Sequence, residues 1–185
     1  MFCSACGSAL PHTPPVRCTA CEADHWENAK PCAGALVTRA GQLVLVRRTQ
    51  APWRGRWDVP GGFCEPGEHP IATAEREARE ETGLAVRVTG FLGMWLDDYA
   101  EPAEGGRRTR TLNIYYHAAP LEAEGSAAPD PAEVAELAWF GPDELPDAIA
   151  FPGHVAAVLR AWREALAAGV LAGPLPDHPA YLPSL

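Results

Sequence analysis

The sequence predicts an α/β chain, with a mixed sheet held between helices and a small metal-stapled ribbon at its N-terminus. Three observations carry this. Short strand-like runs alternate with helical ones across most of the 185 residues. One helical run is framed by proline at its start and glycine at its end. Two Cys-x2-Cys pairs lie within the first 21 residues, ahead of any apolar run that could build a core.

The elements follow in chain order. Cys3-x2-Cys6 is separated from Cys18-x2-Cys21 by eleven residues, the spacing of a tetrahedral zinc site with four thiolate ligands. The segment is too short and polar to fold around its own core, so a metal staple has a physical role there. Two disulfides would require an oxidising compartment, and Met1-Phe2-Cys3-Ser4 is not the start of a signal peptide. A redox Cys-x2-Cys would lead into a helix in a thioredoxin-like context, which is absent. His12 and His25 remain alternative ligands for one cysteine. Cys32 and Cys64 fall outside the pairs and read as buried thiols. These features divide the chain into a ribbon over 1–30, a main domain over 31–170 and an extended tail over 171–185.

Ala33-Val37 and Gln42-Arg47 read as strands joined by a hairpin turn at Arg39-Ala40-Gly41. Trp57-Val59 is a short strand feeding a glycine loop at Gly61-Gly62. His69-Pro70-Ile71 opens a helix, because proline suits a first turn that needs no N–H. Thr82-Gly83 closes it, with Gly83 placed for a left-handed C-terminal turn. Val86-Asp97 and Arg110-Ala118 are strand-like, the second alternating Leu112, Ile114 and Tyr116 against Asn113, Tyr115 and His117. Ala119-Asp130 reads as a surface loop and Leu137-Phe140 as another strand. Pro142-Leu145 reads as a short helical turn, and His154-Ala168 as an amphipathic helix. The tail from Gly173 is broken by prolines and glycines.

The first helix carries the chemistry. Ile71, Ala74 and Ala78 share one stripe, and two alanines let it lie close to a sheet. Glu77, Glu80 and Glu81 occupy the adjacent arc at i, i+3 and i+4 spacing. Glu81 is nearest the apolar stripe and is expected to be the least solvated. Carboxylates so placed repel one another, and a hard divalent cation with oxygen ligands removes that cost. Arg76 can pair with Glu68 and fix the preceding loop against the helix.

Residues 62–84 read Gly62-x5-Glu68-x7-Arg76-Glu77-Ala78-x-Glu80-Glu81-x-Gly83-Leu84. This segment resembles the Nudix box, the motif of hydrolases that cleave nucleoside diphosphates linked to another moiety. The resemblance implies an α/β/α sandwich with a mixed sheet. It implies catalytic Mg²⁺, or Mn²⁺, on Glu77, Glu80 and Glu81, with the Gly62 carbonyl completing the site and Arg76 orienting the acids. A further carboxylate outside the box often acts as base or ligand in the family, and Glu65, Glu133 and Glu136 are the candidates. Residues 1–30 resemble the zinc ribbons that precede some Nudix domains, with His25-Trp26-Glu27-Asn28-x-Lys30-Pro31 as the junction.

The resemblance ranks ADP-ribose and FAD first as substrates. NADH pyrophosphatases carry a Ser-Gln-Pro-Trp motif after the box, which is absent from Ala85-Phe91. Tyr99 stands where dinucleoside polyphosphate hydrolases place a tyrosine, and Pro102 near where ADP-ribose enzymes place a proline. Arg47, Arg48, Arg54 and Arg56 are candidate phosphate clamps, and Trp53, Trp95, Tyr99 and Tyr115 candidate base-stackers. Hydrolysis of NADH, dinucleoside polyphosphates or RNA caps, a nucleotide sensor without catalysis and isomerase chemistry using Cys64 are the alternatives. All box glutamates are kept, which argues against the sensor.

The formal charge of −9 argues against broad nucleic-acid binding, and the ribbon holds only Arg17 and Lys30 as basic residues. No 18-residue apolar run suggests a membrane span, and the chain reads as cytoplasmic. The expected partner is a small nucleotide, and a homodimer is compatible with the sequence.

Overall fold

The computed structural model describes residues 1–100, 109–122, 129 and 131–175. The ribbon holds two short strands, β1 (Val16–Arg17) and β2 (Asp24–His25), paired antiparallel. The main sheet contains β3 (Lys30–Arg39), β4 (Gln42–Arg48), β5 (Trp57–Asp58), β6 (Gly61–Phe63), β7 (Val86–Tyr99), β8 (Thr109–Pro120) and β9 (Val134–Phe140). Its order is β5-β4-β3-β8-β7, with β6 added to β3 and β9 to β4. Only the β3–β8 pair is parallel among the pairings described, so the sheet is mixed as expected. Helices α1 (Pro70–Thr82) and α2 (Val155–Ala168) cover its two faces.

Strand alternation sorts the core. Ala33, Ala35 and Val37 of β3 pack with Ile71, Ala74 and Ala78 of α1, the stripe expected from the sequence. Leu36 faces the other way, into a cluster with Val155, Val158, Leu159 and Trp162 of α2. Trp162 is fully buried, and its indole N–H is satisfied by Thr38 Oγ1 at 2.9 Å.

Helix α1 begins and ends where its local chemistry dictates. His69 is the N-cap, accepting the Ile71 N–H, and Pro70 takes the first helical position. Gly83 adopts φ 72° at the C-cap and donates to Arg79 O. The β3–β4 hairpin turns at Ala40 and Gly41, both with positive φ, as two-residue turns with right-twisted strands require.

Several segments differ from expectation. Gly61–Phe63 is a strand rather than a loop, because its backbone pairs with Cys32, Ala33 and Gly34. Pro142-Leu145 is not helical: a single turn closes when Glu144 N–H donates to Gly141 O. Strand β8 runs through Pro120, into the segment expected to be loop. Of the expected tail, residues 171–175 are irregular and residues 176–185 lie outside the described residues, as does Pro102. Before that point the chain crosses the outer strand β7, with Thr89 Oγ1 donating to Leu171 O and Gly173 N–H to Thr89 O. No helix is long and apolar enough to cross a membrane.

Candidate active site

A cavity of about 520 Å³ opens where β3, β6 and α1 meet the ends of β4, β7 and β8. Box residues Gly62, Arg76, Glu77 and Glu81 line it, as do Glu65 and Glu133. Glu80 lies outside this wall, with its side chain 51 % exposed.

Arg76 is the hub of the box. It makes a two-pronged ion pair with Glu68, through Nε at 2.8 Å and Nη2 at 3.0 Å. Its Nη1 bridges Glu77 at 2.8 Å and Glu80 at 2.9 Å, and Nη2 also reaches Phe63 O. The guanidinium therefore offsets the crowding of negative charge that the helix creates. Its hydrogen bonds hold the Glu68 carboxyl down at about 2, and Glu68 in turn holds the guanidinium above its ordinary value. The fork also ties the loop before α1 to the helix, as expected.

Glu81 accepts the Gly61 N–H at 2.9 Å. Burial pushes its carboxyl up to about 8, and the negative charges of Asp58 and Glu77 add to the rise against the Gly61 hydrogen bond. Burial also raises Glu77, with Arg76 opposing. Gly62 packs directly on this group: a Cβ there would stand 2.5 Å from Glu77 Oε1. Two partly buried carboxylates, unfavourable as bare anions, form an oxygen donor set suited to a hard cation. The glutamates do not form a ready-made ligand cluster as tight as that of the cysteines.

Aromatic side chains also line the cavity. Phe63 and Tyr99 lie 5.3 Å apart, and Tyr99 stacks on Phe151 at 5.5 Å and 27°. Phe151 has φ 43°, an uncommon backbone state for a bulky residue, and Arg48 covers its ring at 5.2 Å. Arg48 donates to Asp58 Oδ2 at 3.0 Å and reaches the Tyr99 hydroxyl at 3.4 Å. Burial raises the Asp58 carboxyl, with Arg48 opposing.

The cavity wall at Tyr115 is held by a chain of hydrogen bonds. His154 Nδ1 lies 2.6 Å from Asp97 Oδ2, and its Nε2 lies 2.9 Å from the Tyr115 hydroxyl. The carboxylate accepts from Nδ1–H, and Nε2 shares the second hydrogen bond with the phenol. Gly34 makes room for this ring: a Cβ there would stand 2.7 Å from Tyr115 Cε1.

Other sequence candidates are dispersed. Arg47 pairs with Glu136 at 3.2 Å, while Arg54, Arg56, Trp53 and Trp95 are not part of the cavity lining. Cys64 lines the cavity but burial raises its thiol, and burial pushes Cys32 to about 12, which disfavours thiolate chemistry at both. Sequence reasoning missed Asp58, Phe63, Phe151 and the Asp97–His154 link as parts of the site. Their signal is tertiary, since each depends on which strands and loops become neighbours.

The four ribbon cysteines are free thiols whose sulfurs all lie within 4.8 Å of one another. Cys3–Cys21 and Cys6–Cys18 are 3.6 and 3.7 Å apart. Tetrahedral thiolates at a Zn–S distance of about 2.3 Å would stand about 3.8 Å apart, so the donor set fits zinc. His25 Nε2 approaches Cys3 Sγ at 3.2 Å, whereas His12 contacts Thr13 O.

Comparison with known proteins agrees with this geometry. The NUDIX domain profile matches residues 29–161. The chain is 31 % identical over 149 residues to the "NAD-capped RNA hydrolase NudC" of Stutzerimonas stutzeri, covering 78 % of this chain and 49 % of that protein. It thus spans about half the length of the NudC relatives it matches. It is 31 % identical over 137 residues to the "RNA pyrophosphohydrolase" of Erythrobacter litoralis, covering 67 % of this chain and 84 % of that protein. A crystal structure of a NUDIX hydrolase from Nitrosomonas europaea superposes with a TM-score of 0.72 at 26 % identity, covering 92 % of this chain and 94 % of that one.

Proposed function

The chain belongs to the Nudix family, and from that premise we propose that it hydrolyses the pyrophosphate of an ADP-linked nucleotide with the help of Mg²⁺ or Mn²⁺. The observation that carries this reading is the cavity itself. Glu77, Glu81 and Gly62 line it together with Phe63, Tyr99 and Phe151. A cation held by the carboxylates would meet an anionic pyrophosphate, and the aromatic side chains would meet a planar ring.

Glu77, Glu80 and Glu81 would hold the cation, with the Gly62 carbonyl beside them. When bound, it supplies charge neutralisation on the phosphoryl oxygens and an acidified water. The protein's own residues position and shield. Arg76 holds Glu68, Glu77 and Glu80 in register, and Gly61 holds Glu81. Glu65 and Glu133, which line the cavity, are the candidates for an additional base. In the ribbon, Cys3, Cys6, Cys18 and Cys21 would hold a structural Zn²⁺.

ADP-ribose, FAD and NAD share the ADP half, so the reading covers the substrates expected from the sequence and the one that the NudC relatives' names specify. NAD-capped RNA is the second reading, favoured by those names. A turnover panel of ADP-ribose, FAD, NADH, a dinucleoside polyphosphate and NAD-capped RNA with Mg²⁺ separates them. Activity on none of these would sink the catalytic reading and favour a sensor.

A further inference from the structure

We infer that Asn113 reads an amino group on the planar ring that the cavity holds, selecting amino-bearing rings over oxo-bearing ones. The inference deepens the proposed function and rests on its reading of a nucleotide-binding cavity. Asn113 is 7 % exposed and lines the cavity, placed by β8 beside Cys32 of β3 and opposite Trp95 of β7.

The orientation of its amide is fixed by its neighbours. Nδ2 donates to Trp95 O at 3.4 Å and to Thr111 Oγ1 at 3.0 Å. A backbone carbonyl can only accept. The Thr111 hydroxyl spends its own proton on Asp97 O at 3.3 Å and so accepts from Asn113. Turning the amide over would set its oxygen against the Trp95 carbonyl. Oδ1 is therefore the atom left over. It accepts no hydrogen bond from the described residues and is not sealed from the cavity.

The neighbouring buried groups are already committed. Asp58 accepts from Val59 N–H and Arg48, and the Tyr115 hydroxyl is taken by His154. An acceptor standing alone in a mostly buried wall calls for a donor from the ligand. The aromatic side chains call for a flat ring. The chemistry that meets both is an sp² NH₂ on a heterocycle, as on adenine or on a pyridine carboxamide. Hypoxanthine, with an oxo group at the equivalent position, would set oxygen against oxygen.

The test is calorimetric binding of mononucleotides to the full chain with Mg²⁺, which needs no turnover. Two pairs are compared: AMP with IMP, and nicotinamide mononucleotide with its 3-acetylpyridine counterpart, which keeps the shape but lacks the NH₂. In at least one pair the amino member should bind about tenfold or more tightly, the penalty expected when a polar site loses its partner. The responding pair identifies which ring enters the cavity. The near-isosteric Asn113→Leu should erase that preference while thermal unfolding shows a folded chain. Equal affinities within both pairs would overturn the role of Asn113 and leave the nucleotide reading standing. Absence of binding by all four would overturn the nucleotide reading and this inference with it. If Asn113→Leu does not fold, the wild-type comparison alone decides.

Discussion

Oε2 of Glu81 accepts the backbone N–H of Gly61 across 2.9 Å, which locks the last turn of α1 to strand β6. A glutamine at this position can keep the bond through its amide oxygen while losing the charge that a cation needs. Glu81→Gln is therefore expected to retain the fold and to lose turnover on the order of 10³-fold or more with Mg²⁺. Steady-state rates beside thermal unfolding in chelator measure both. Near-normal turnover would show that the helix is not the metal site.

The same side chain sets a pH dependence of stability. Burial holds the folded carboxyl at about 8, above its ordinary value of 4.5. Folding thus favours the neutral form. Its contribution is complete below pH 4.5 and is lost as pH rises through about 8. In chelator, Glu81→Gln should gain stability relative to the wild type as pH rises from about 5 to about 9. Urea midpoints across that range measure it, and parallel curves for the two proteins would refute the burial argument.

Gly62→Ala tests the contact with Glu77. The added Cβ would meet the carboxylate at 2.5–2.8 Å, so the glutamate must move. Turnover should fall about tenfold or more, because small misplacements at a reacting centre are costly. Glu77 is a flexible side chain, so the thermal midpoint should change little. A variant with unchanged turnover would show that Glu77 can shift without consequence.

The ribbon should carry one zinc per chain, on Cys3, Cys6, Cys18 and Cys21. With metal present, a thiol reagent should find these four cysteines protected, and chelator should release them. Metal analysis of protein prepared without chelator, together with thiol counting, reads the outcome. Disulfides among these cysteines would count against it.

His154 links β7, β8 and the start of α2 through Asp97 and Tyr115. His154→Ala leaves the Tyr115 hydroxyl and the Asp97 carboxylate without this partner. A loss of about 1–3 kcal/mol in folding stability is expected, measurable by urea unfolding. His154→Gln, which can restore one of the two bonds, should recover part of it.

What the sequence made legible was local. The caps of α1 are written in His69-Pro70 and Gly83, and its buried stripe in the spacing of Ile71, Ala74 and Ala78. The fork between Arg76 and Glu68 spans only eight residues. The rest of the cavity is built from distant pairings. Asn113 becomes a cavity residue because β8 aligns in parallel with β3, opposite Cys32. Asp97 and His154 are 57 residues apart, and no periodicity announces their contact. Phe151 enters the site through a left-handed backbone state that a phenylalanine does not advertise. Gly61–Phe63 read as loop because two glycines are poor strand formers, and pairing with β3 overrode that preference.

The crossing of Leu171–Gly173 over Thr89 covers part of an outer strand edge. Strand β7 ends the order of the main sheet and carries exposed Phe91, Met94 and Leu96. An outer strand of that length is a template on which a second chain could add. The segment after α2 occupies the Thr89 carbonyl and packs closely on Gly90, where a Cβ would meet Gly173 N at 3.0 Å. Together with the irregular pairing at Val88/Gly90 and Phe91/Gly93, it interrupts the flat ladder that aggregation requires. A chain shortened before Leu171 would keep its candidate catalytic wall but lose that guard, and its failure in solution would be precipitation rather than inactivity.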